Sequence, residues 1–167
     1  MLGYPETAYA DGVYYDWVIR DLSKTPDFKR KLEPYAETVW KRAQRTGLLA
    51  FFLAQQVKSV APKHAIAAGF LLHGGKLLLA GSYEDYAAEE STAESQALFT
   101  PLARRLREKA RYGVAQEEVG AHSLRYFEVF HHLAAPVRHF REPYVLKGRP
   151  DYPLAALLYL ADCMART

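Results

Sequence analysis

The sequence predicts an all-α domain of about seven to nine helices. In the 35–57 segment, apolar residues recur three or four positions apart, which is the period of an amphipathic helix. Prolines stand where helices are expected to start, as at Pro62 and Pro101, and Gly113 stands where one is expected to end. No segment reads as a convincing strand, so we expect helices packed on helices.

The helices are expected at intervals along the whole chain. The first 34 residues are rich in aromatic side chains, and short helices are possible there at Val13–Leu22 and Asp27–Leu32. The Pro62–His73 segment is apolar nearly all round, which indicates a buried helix. The other helices are expected at 35–57, 76–80, 92–100, 101–112, around 119–130, at 136–141 and at 153–165.

Particular residues are expected to start or stop these helices. Ser91 to Glu94 has the spacing of a capping box, and Thr100 precedes Pro101 as an N-cap would. Asp151 is a candidate cap for the last helix. Gly74 and Gly75 are interpreted as the C-terminal stop of the buried helix.

Bulk properties limit the class of protein. The chain has 167 residues, about one domain, and a formal net charge of +3, too small to indicate a polyanion partner. Its single cysteine, Cys163, rules out an intrachain disulfide framework. The N-terminus lacks the features of a signal peptide, and no run of about 18 apolar residues predicts a membrane span. We therefore expect a cytoplasmic protein.

Four segments carry a family resemblance. They are Trp40-Lys-Arg-Ala, Ala68-Gly-Phe-Leu-Leu-His-Gly-Gly-Lys-Leu, Glu108-Lys-Ala-Arg-Tyr-Gly with Glu118-Val-Gly-Ala-His-Ser-Leu, and Val137-Arg-His to Pro143 leading to Leu160-Ala-Asp-Cys-Met-Ala. In this order and spacing they resemble the HDOD branch of the HD superfamily. The resemblance implies an HDOD-like helical domain over residues 35–167, preceded by an N-terminal extension over residues 1–34.

The resemblance also implies where a metal centre would lie, and most of its ligands are missing. The opening-helix His has no counterpart in 42–44, and the His-Asp pair reads His73-Gly74. A later His aligns with Gln116, the His-His pair reads His139-Phe140, and the final Asp is Asp162.

We therefore expect a vestigial polar cluster instead of a metal centre. The cluster would contain His73, His139, Asp162 and Gln116, with no catalytic residue and no metal. If a metal binds at all, its ligands would be His73, His139 and Asp162. His73 and Asp162 are expected within hydrogen-bonding or one-water distance, with His139 nearby.

Other candidate residues have simpler interpretations. His122 and the His131–His132 pair lie off the family's ligand positions and are interpreted as surface or packing residues. Cys163 is interpreted as a buried, inert thiol. The basic run Arg104, Arg105, Arg107, Lys109 and Arg111 is interpreted as a solvated helix face, because no nucleic-acid motif accompanies it.

The family resemblance implies a function from the class of interaction domains. The leading hypothesis is a non-catalytic bacterial signalling or protein-interaction domain with no cofactor. Its partner would be an unknown signalling protein, with no membrane and no nucleic acid, and a homo-oligomer is left open. The alternative is a metal-dependent phosphohydrolase with a reduced site for a divalent metal. A third reading is a small-ligand sensor that uses the vestigial cavity.

Overall fold

Helices make up the framework of the protein. The computed structural model describes residues 32–95, 100–128 and 130–166, and no β-strand occurs in these ranges. The predicted all-α fold is therefore confirmed, whereas the short helices proposed before residue 32 lie outside the described residues. The helices are α1 Glu33–Gln55, α2 Pro62–Leu71, α3 Gly74–Ser82, α4 Tyr86–Ser95, α5 Pro101–Tyr112, α6 Gln116–Leu124, α7 Ala134–His139 and α8 Tyr152–Met164, with 3₁₀ turns at His131–Leu133 and Pro143–Leu146.

Helices α1 and α2 pack backbone to backbone through glycines. A Cβ atom on Gly69 would lie 2.6 Å from the Cα atom of Gly47, so neither helix could approach as closely with a larger residue there. The ring of Phe70 fills the space over Gly47 and stacks on Trp40, with ring centroids 6.3 Å apart. Helix α8 packs on another side of α1. Helix α1 is therefore flanked by α2 and α8.

The buried helix predicted from Pro62 is present, but it ends at Leu71 and not at His73. Gly74 and Gly75 do not stop it, since they form the first turn of α3 and neither has a positive φ. Gly75 serves a packing role instead. A Cβ atom there would lie 1.8 Å from the backbone oxygen of Gln116, so the glycine lets α3 touch α6.

The predicted caps of α5 are confirmed, whereas the capping box predicted for the preceding helix is not. Thr100 accepts a hydrogen bond from the backbone N–H of Ala103, and Gly113 ends α5 with a φ of 78°, as expected. The capping box proposed at Ser91 is wrong. Ser91 lies inside α4, which begins at Tyr86, and its hydroxyl donates to the backbone oxygen of Ala87.

The C-terminal helices differ from the sequence prediction mainly in their ends. Helix α6 stops at Leu124, so the predicted helical face out to Phe130 continues in turns. Helix α7 starts at Ala134, two residues before Pro136. Asp151 takes the N-cap position of α8, but its side chain makes no capping hydrogen bond.

One apolar stretch is long enough to cross a membrane. Within the described ranges, Pro62–Ser82 passes that test by length and composition, and most of it is buried inside the protein. It comprises α2, α3 and the turn between them. Burial in the core explains its apolar composition.

The close contact at Gly75 predicts the stability of two matched variants. Gly75→Ala should destabilise the protein by about 3 kcal/mol or more, because the new methyl group would overlap the backbone of Gln116. Gly120→Ala faces the same contact from α6, where its Cβ atom would lie 3.3 Å from the backbone nitrogen of Gly75. It should cost less than about 1 kcal/mol, because alanine also favours the helix. Urea unfolding measures both, and equal losses would contradict the packing role of Gly75.

Candidate functional site

A buried carboxylate lies at the centre of the site that the sequence singled out. Asp162, on α8, is fully buried and accepts hydrogen bonds from two guanidinium groups. The Nη2 atom of Arg42 donates to its Oδ1 atom at 2.9 Å, and the Nη2 atom of Arg166 donates to its Oδ2 atom at 2.6 Å. Both carboxylate oxygens therefore have a charged donor.

Helical spacing explains how these groups come together. Asp162 and Arg166 are four residues apart at the end of α8, so their side chains share one face. Arg42 and Thr46 are likewise one turn apart on α1, which packs against α8. With His73, these four residues form what we call the Asp162 cluster.

His73 joins the cluster from the turn between α2 and α3. Its Nε2 atom lies 3.4 Å from Asp162 Oδ1 and 3.2 Å from the hydroxyl oxygen of Thr46. Thr46 uses its only hydroxyl hydrogen on the backbone oxygen of Arg42, at 3.0 Å. The Nε2 atom of His73 must therefore carry the hydrogen in this contact.

Charge holds Asp162 in its ionised form. Burial alone would raise the pKa of Asp162, but Arg42, His73 and Arg166 together hold that pKa well below its usual value. A group whose pKa is depressed on folding adds stability above its unfolded-state pKa, and that stability is lost as the pH falls. The Asp162 carboxylate is therefore ionised and adds stability at neutral pH.

The other two residues expected in the cluster are described by their own neighbours. His139 is half-buried, and its Nδ1 atom lies 3.9 Å from the Oε1 atom of Glu142. Burial and the charge of Arg138 lower the pKa of His139. That His139 lies near His73 and Asp162 stays a prediction.

Gln116 is buried, and its backbone packs against α3. Its backbone oxygen meets Gly75, and its backbone N–H donates to Glu108 Oε2 at 2.9 Å. Among the described residues its side-chain amide finds no hydrogen-bond partner. Gln116 therefore takes part in helix packing at the start of α6.

A second buried charge network, which sequence reasoning missed, connects α4 to α7. Arg141 donates to Glu108 Oε2 at 2.8 Å and lies 3.3 Å from Glu117, while the Tyr86 hydroxyl donates to Glu108 Oε1 at 3.0 Å. Arg105 donates to Glu117 Oε1 at 3.0 Å. We call these five residues the Glu108 network, and all five are buried.

The basic run on α5 is therefore only partly a solvated face. Arg104 and Arg105 are buried, contrary to the sequence interpretation, because Arg105 reaches acidic groups that follow α5 in the chain. Besides Glu117, these acidic partners of Arg105 are Glu118 and Glu142, both at 3.1 Å. The outer members of the run also meet acidic partners: Arg107 pairs with Glu89, Lys109 with Glu118, and Arg111 with Asp85 and Glu89.

A further buried pair links α3 to α4. The Nζ atom of Lys76 donates to Glu90 Oε2 at 2.7 Å. Burial opposes ionisation of Glu90, but Lys76, together with Arg141 and Arg104, outweighs it and lowers the pKa of that carboxyl to about 2. Lys76 belongs to the segment that resembles the family's central motif. In this structure its charged amine pairs with the buried carboxylate of Glu90 and so joins α3 to α4.

The family model for the HDOD domain matches residues 17–143, which is most of the chain. The chain belongs to the HDOD domain family. No curated protein and no solved structure matches it significantly. The match to the HDOD model starts within the segment that the sequence assigned to an extension, and α8, with Asp162, follows the matched range.

The residues of this HDOD domain do not fit the metal centre of HD enzymes. A metal ion at His73 and Asp162 would meet the guanidinium groups of Arg42 and Arg166, which already occupy both carboxylate oxygens. It would also need a lone pair on the Nε2 atom of His73, where the hydrogen lies. Within the described ranges, no three His, Cys, Asp or Glu side chains are placed to hold a metal ion.

The Glu108 network predicts a pH-dependent loss of stability in a variant. Burial raises the pKa of Glu117, and Arg141 is the largest influence that opposes this rise. Arg141→Met should therefore raise that pKa further and destabilise the protein by about 3–5 kcal/mol at pH 7. A raised pKa contributes stability below the unfolded-state value that is lost as the pH rises, so the loss should be smaller at pH 5 by about 1 kcal/mol or more.

Urea unfolding at both pH values measures this loss. Arg111→Met provides the matched control, since Arg111 pairs with Asp85 and Glu89 at the surface and should change little at either pH. An equal loss for Arg141→Met at pH 5 and pH 7 would contradict the assigned role of Glu117.

Proposed function

We propose that this HDOD domain is a non-catalytic signalling domain of the bacterial cytoplasm that works by binding another protein. The observation that carries the proposal is the state of Asp162. Two guanidinium groups and His73 surround the carboxylate that would hold a metal in an HD enzyme. The charge that a metal would supply comes from the protein's own side chains.

The chemistry of HD-type hydrolysis explains why this matters. A metal ion lowers the pKa of a bound water molecule and so generates the nucleophile at neutral pH. Gly74 offers no side-chain oxygen at the position of the paired Asp, and Phe140 offers no nitrogen at the position of a His. A domain with these residues lacks two of the ligands that would hold a water-activating metal ion at the position of the HD metal centre.

Surface features support a protein partner. Leu48 and Phe52, four residues apart on α1, are 50% and 59% exposed. Leu160 and Met164 make a similar exposed pair on α8. Apolar residues at this spacing on a helix are the kind that dock into a groove on a partner.

Nucleic acid is a poorer partner for this surface. The exposed cations of α5 are already paired with Asp85, Glu89 and Glu118. Phosphate binding would have to break these pairs, and the overall charge adds little attraction. The proposal therefore assigns the partner to the protein class.

A ligand-sensing role at the Asp162 cluster has less support. A cavity of about 420 Å³ lies elsewhere, between the start of α1 and α4. Its lining includes Tyr35, Thr38 and Ala87, and it contains no member of the cluster.

One observation favours the alternative function, a metal-dependent phosphohydrolase. His73 and Asp162, two of the retained ligand positions, do lie side by side. If a metal displaced Arg42, these residues could still provide two ligands. The activity test below distinguishes the two functions.

We predict no metal-dependent hydrolysis by the purified protein. Cyclic dinucleotides, nucleotides and a chromogenic phosphodiester should show no turnover above the protein-free rate with Mg²⁺, Mn²⁺ or Zn²⁺. Gly74→Asp should not restore turnover, because Arg42, Gln116 and Phe140 would still leave the ligand set incomplete.

His73→Ala is the matched variant for this assay. In the proposed domain it changes no rate, because there is no activity for it to remove. Hydrolysis by the wild type that needs a metal and disappears in His73→Ala would replace the proposal with the phosphohydrolase alternative.

A further inference from the structure

The 3₁₀ turn before α8 carries an exposed surface that is both aromatic and basic. Leu146 is buried and anchors this turn in the core. Its neighbours Tyr144 and Val145 are 61% and 47% exposed. Lys147 and Arg149, which follow in the loop, are exposed as well. The turn and loop thus present two apolar and two charged side chains to solvent.

Backbone hydrogen bonds hold this surface in one compact shape. The backbone N–H of Lys147 donates to the backbone oxygen of Tyr144 at 3.1 Å. The backbone N–H of Arg149 donates to the backbone oxygen of Leu146 at 2.8 Å. Residues three apart in a 3₁₀ turn lie on the same side, so Tyr144 and Lys147 are neighbours on the surface. A surface that is already ordered loses little conformational entropy when a partner binds.

Arg138, on α7, adds a third cation to this surface. Helix α7 packs against the 3₁₀ turn. Burial lowers the pKa of His139, and the charges of Arg138 and Arg149 lower that pKa further. Because such an influence decays with distance, both guanidinium groups lie near the His139 ring. We call the combined set the Tyr144 surface, which consists of Arg138, Tyr144, Val145, Lys147 and Arg149.

The positive charge of the Tyr144 surface is not neutralised by the chain itself. In the part of the chain that the structure describes, none of its three cations forms an ion pair, in contrast to the exposed cations of α5. The two acids nearest in sequence do not supply a partner. Glu142 pairs with Arg105 at 3.1 Å, and Asp151 forms no ion pair within the described ranges.

We propose that the Tyr144 surface docks an acidic segment of a protein partner, whose carboxylates pair with the three cations while an apolar side chain packs on Tyr144 and Val145. This inference rests on the proposed function, because it names the surface with which the domain binds another protein. Carboxylates offer the complementary charge, and guanidinium groups bind them with two parallel hydrogen bonds that also fix orientation. Tyrosine and arginine are enriched among the residues that contribute most to binding at protein interfaces.

An NMR titration tests the proposal with a defined probe, a short peptide that repeats Glu-Glu-Phe, added to the nitrogen-15-labelled full chain. We expect shift changes confined to residues 138–152 and a dissociation constant of about 1 mM or lower at low salt. Added salt should weaken the binding, because ion pairs at the surface are screened. A peptide that repeats Lys-Lys-Phe is the charge-reversed control and should leave these residues unchanged.

Two variants and a matched control locate the contacts. Arg149→Glu should weaken binding of the Glu-Glu-Phe peptide by about tenfold or more, because it replaces attraction with repulsion. Tyr144→Ala should weaken it by about fivefold or more through lost apolar contact. Arg45→Glu makes the same change in net charge at an exposed position of α1 and should have no effect. Circular dichroism of each variant establishes that the fold is intact.

Three results would overturn the assignment. One is no shift change at 138–152 with millimolar Glu-Glu-Phe peptide. The second is shift changes confined to α1 around Leu48 and Phe52, which would move the docking surface but leave the proposed function standing. The third is tighter binding of a single-stranded DNA oligonucleotide of equal charge at the Tyr144 surface. That result would also remove the protein class of partner from the proposed function.

Discussion

A carboxylate buried in an apolar helix needs a positive partner, and our proposed function depends on which partner Asp162 has. In an HD enzyme a metal ion would meet that need. Here Arg42 comes from the opening helix and Arg166 from one turn further along α8, and each binds one oxygen of the carboxylate. The two guanidinium groups thus balance the charge of the buried carboxylate.

The same constraint applies to the Glu108 network. Glu108, Glu117 and Arg141 are buried together, and Glu108 also accepts a hydrogen bond from the backbone N–H at the start of α6. The Glu108 carboxylate thus pairs with a helix N-terminus and with a guanidinium group. The Asp162 cluster joins α1 to α8, and the Glu108 network joins α4, α5 and α6.

The sequence predicts the helices well because their periodicity and caps are local properties. Thr100 and Gly113 bound α5 as expected, and the buried character of α2 follows from its composition. Sequence alone cannot assign Gly74 and Gly75, because a glycine needed for close packing looks the same in sequence as one that ends a helix. Only the approach of Gln116 to Gly75 distinguishes them.

In the candidate site, too, some features can be predicted from the sequence and others depend on tertiary contacts. The pairing of His73 with Asp162 could be anticipated from the family resemblance, and the two residues are 3.4 Å apart. In the sequence, position 42 shows only that a ligand histidine is missing, although the charge of Arg42 pairs with Asp162 in the structure. The Glu108 network had no local signal, because it depends on tertiary packing between distant helices.

The protonation of His73 tests the central claim most directly. Nitrogen-15 NMR of the imidazole ring reports which nitrogen carries the hydrogen, and His73→Ala assigns the signal. The account predicts that His73 Nε2 carries the hydrogen, since it contacts Thr46 and Asp162, and that added Zn²⁺ leaves this signal unchanged. Loss of the Nε2 hydrogen on addition of Zn²⁺ would show a metal bound beside Asp162 and would contradict the account.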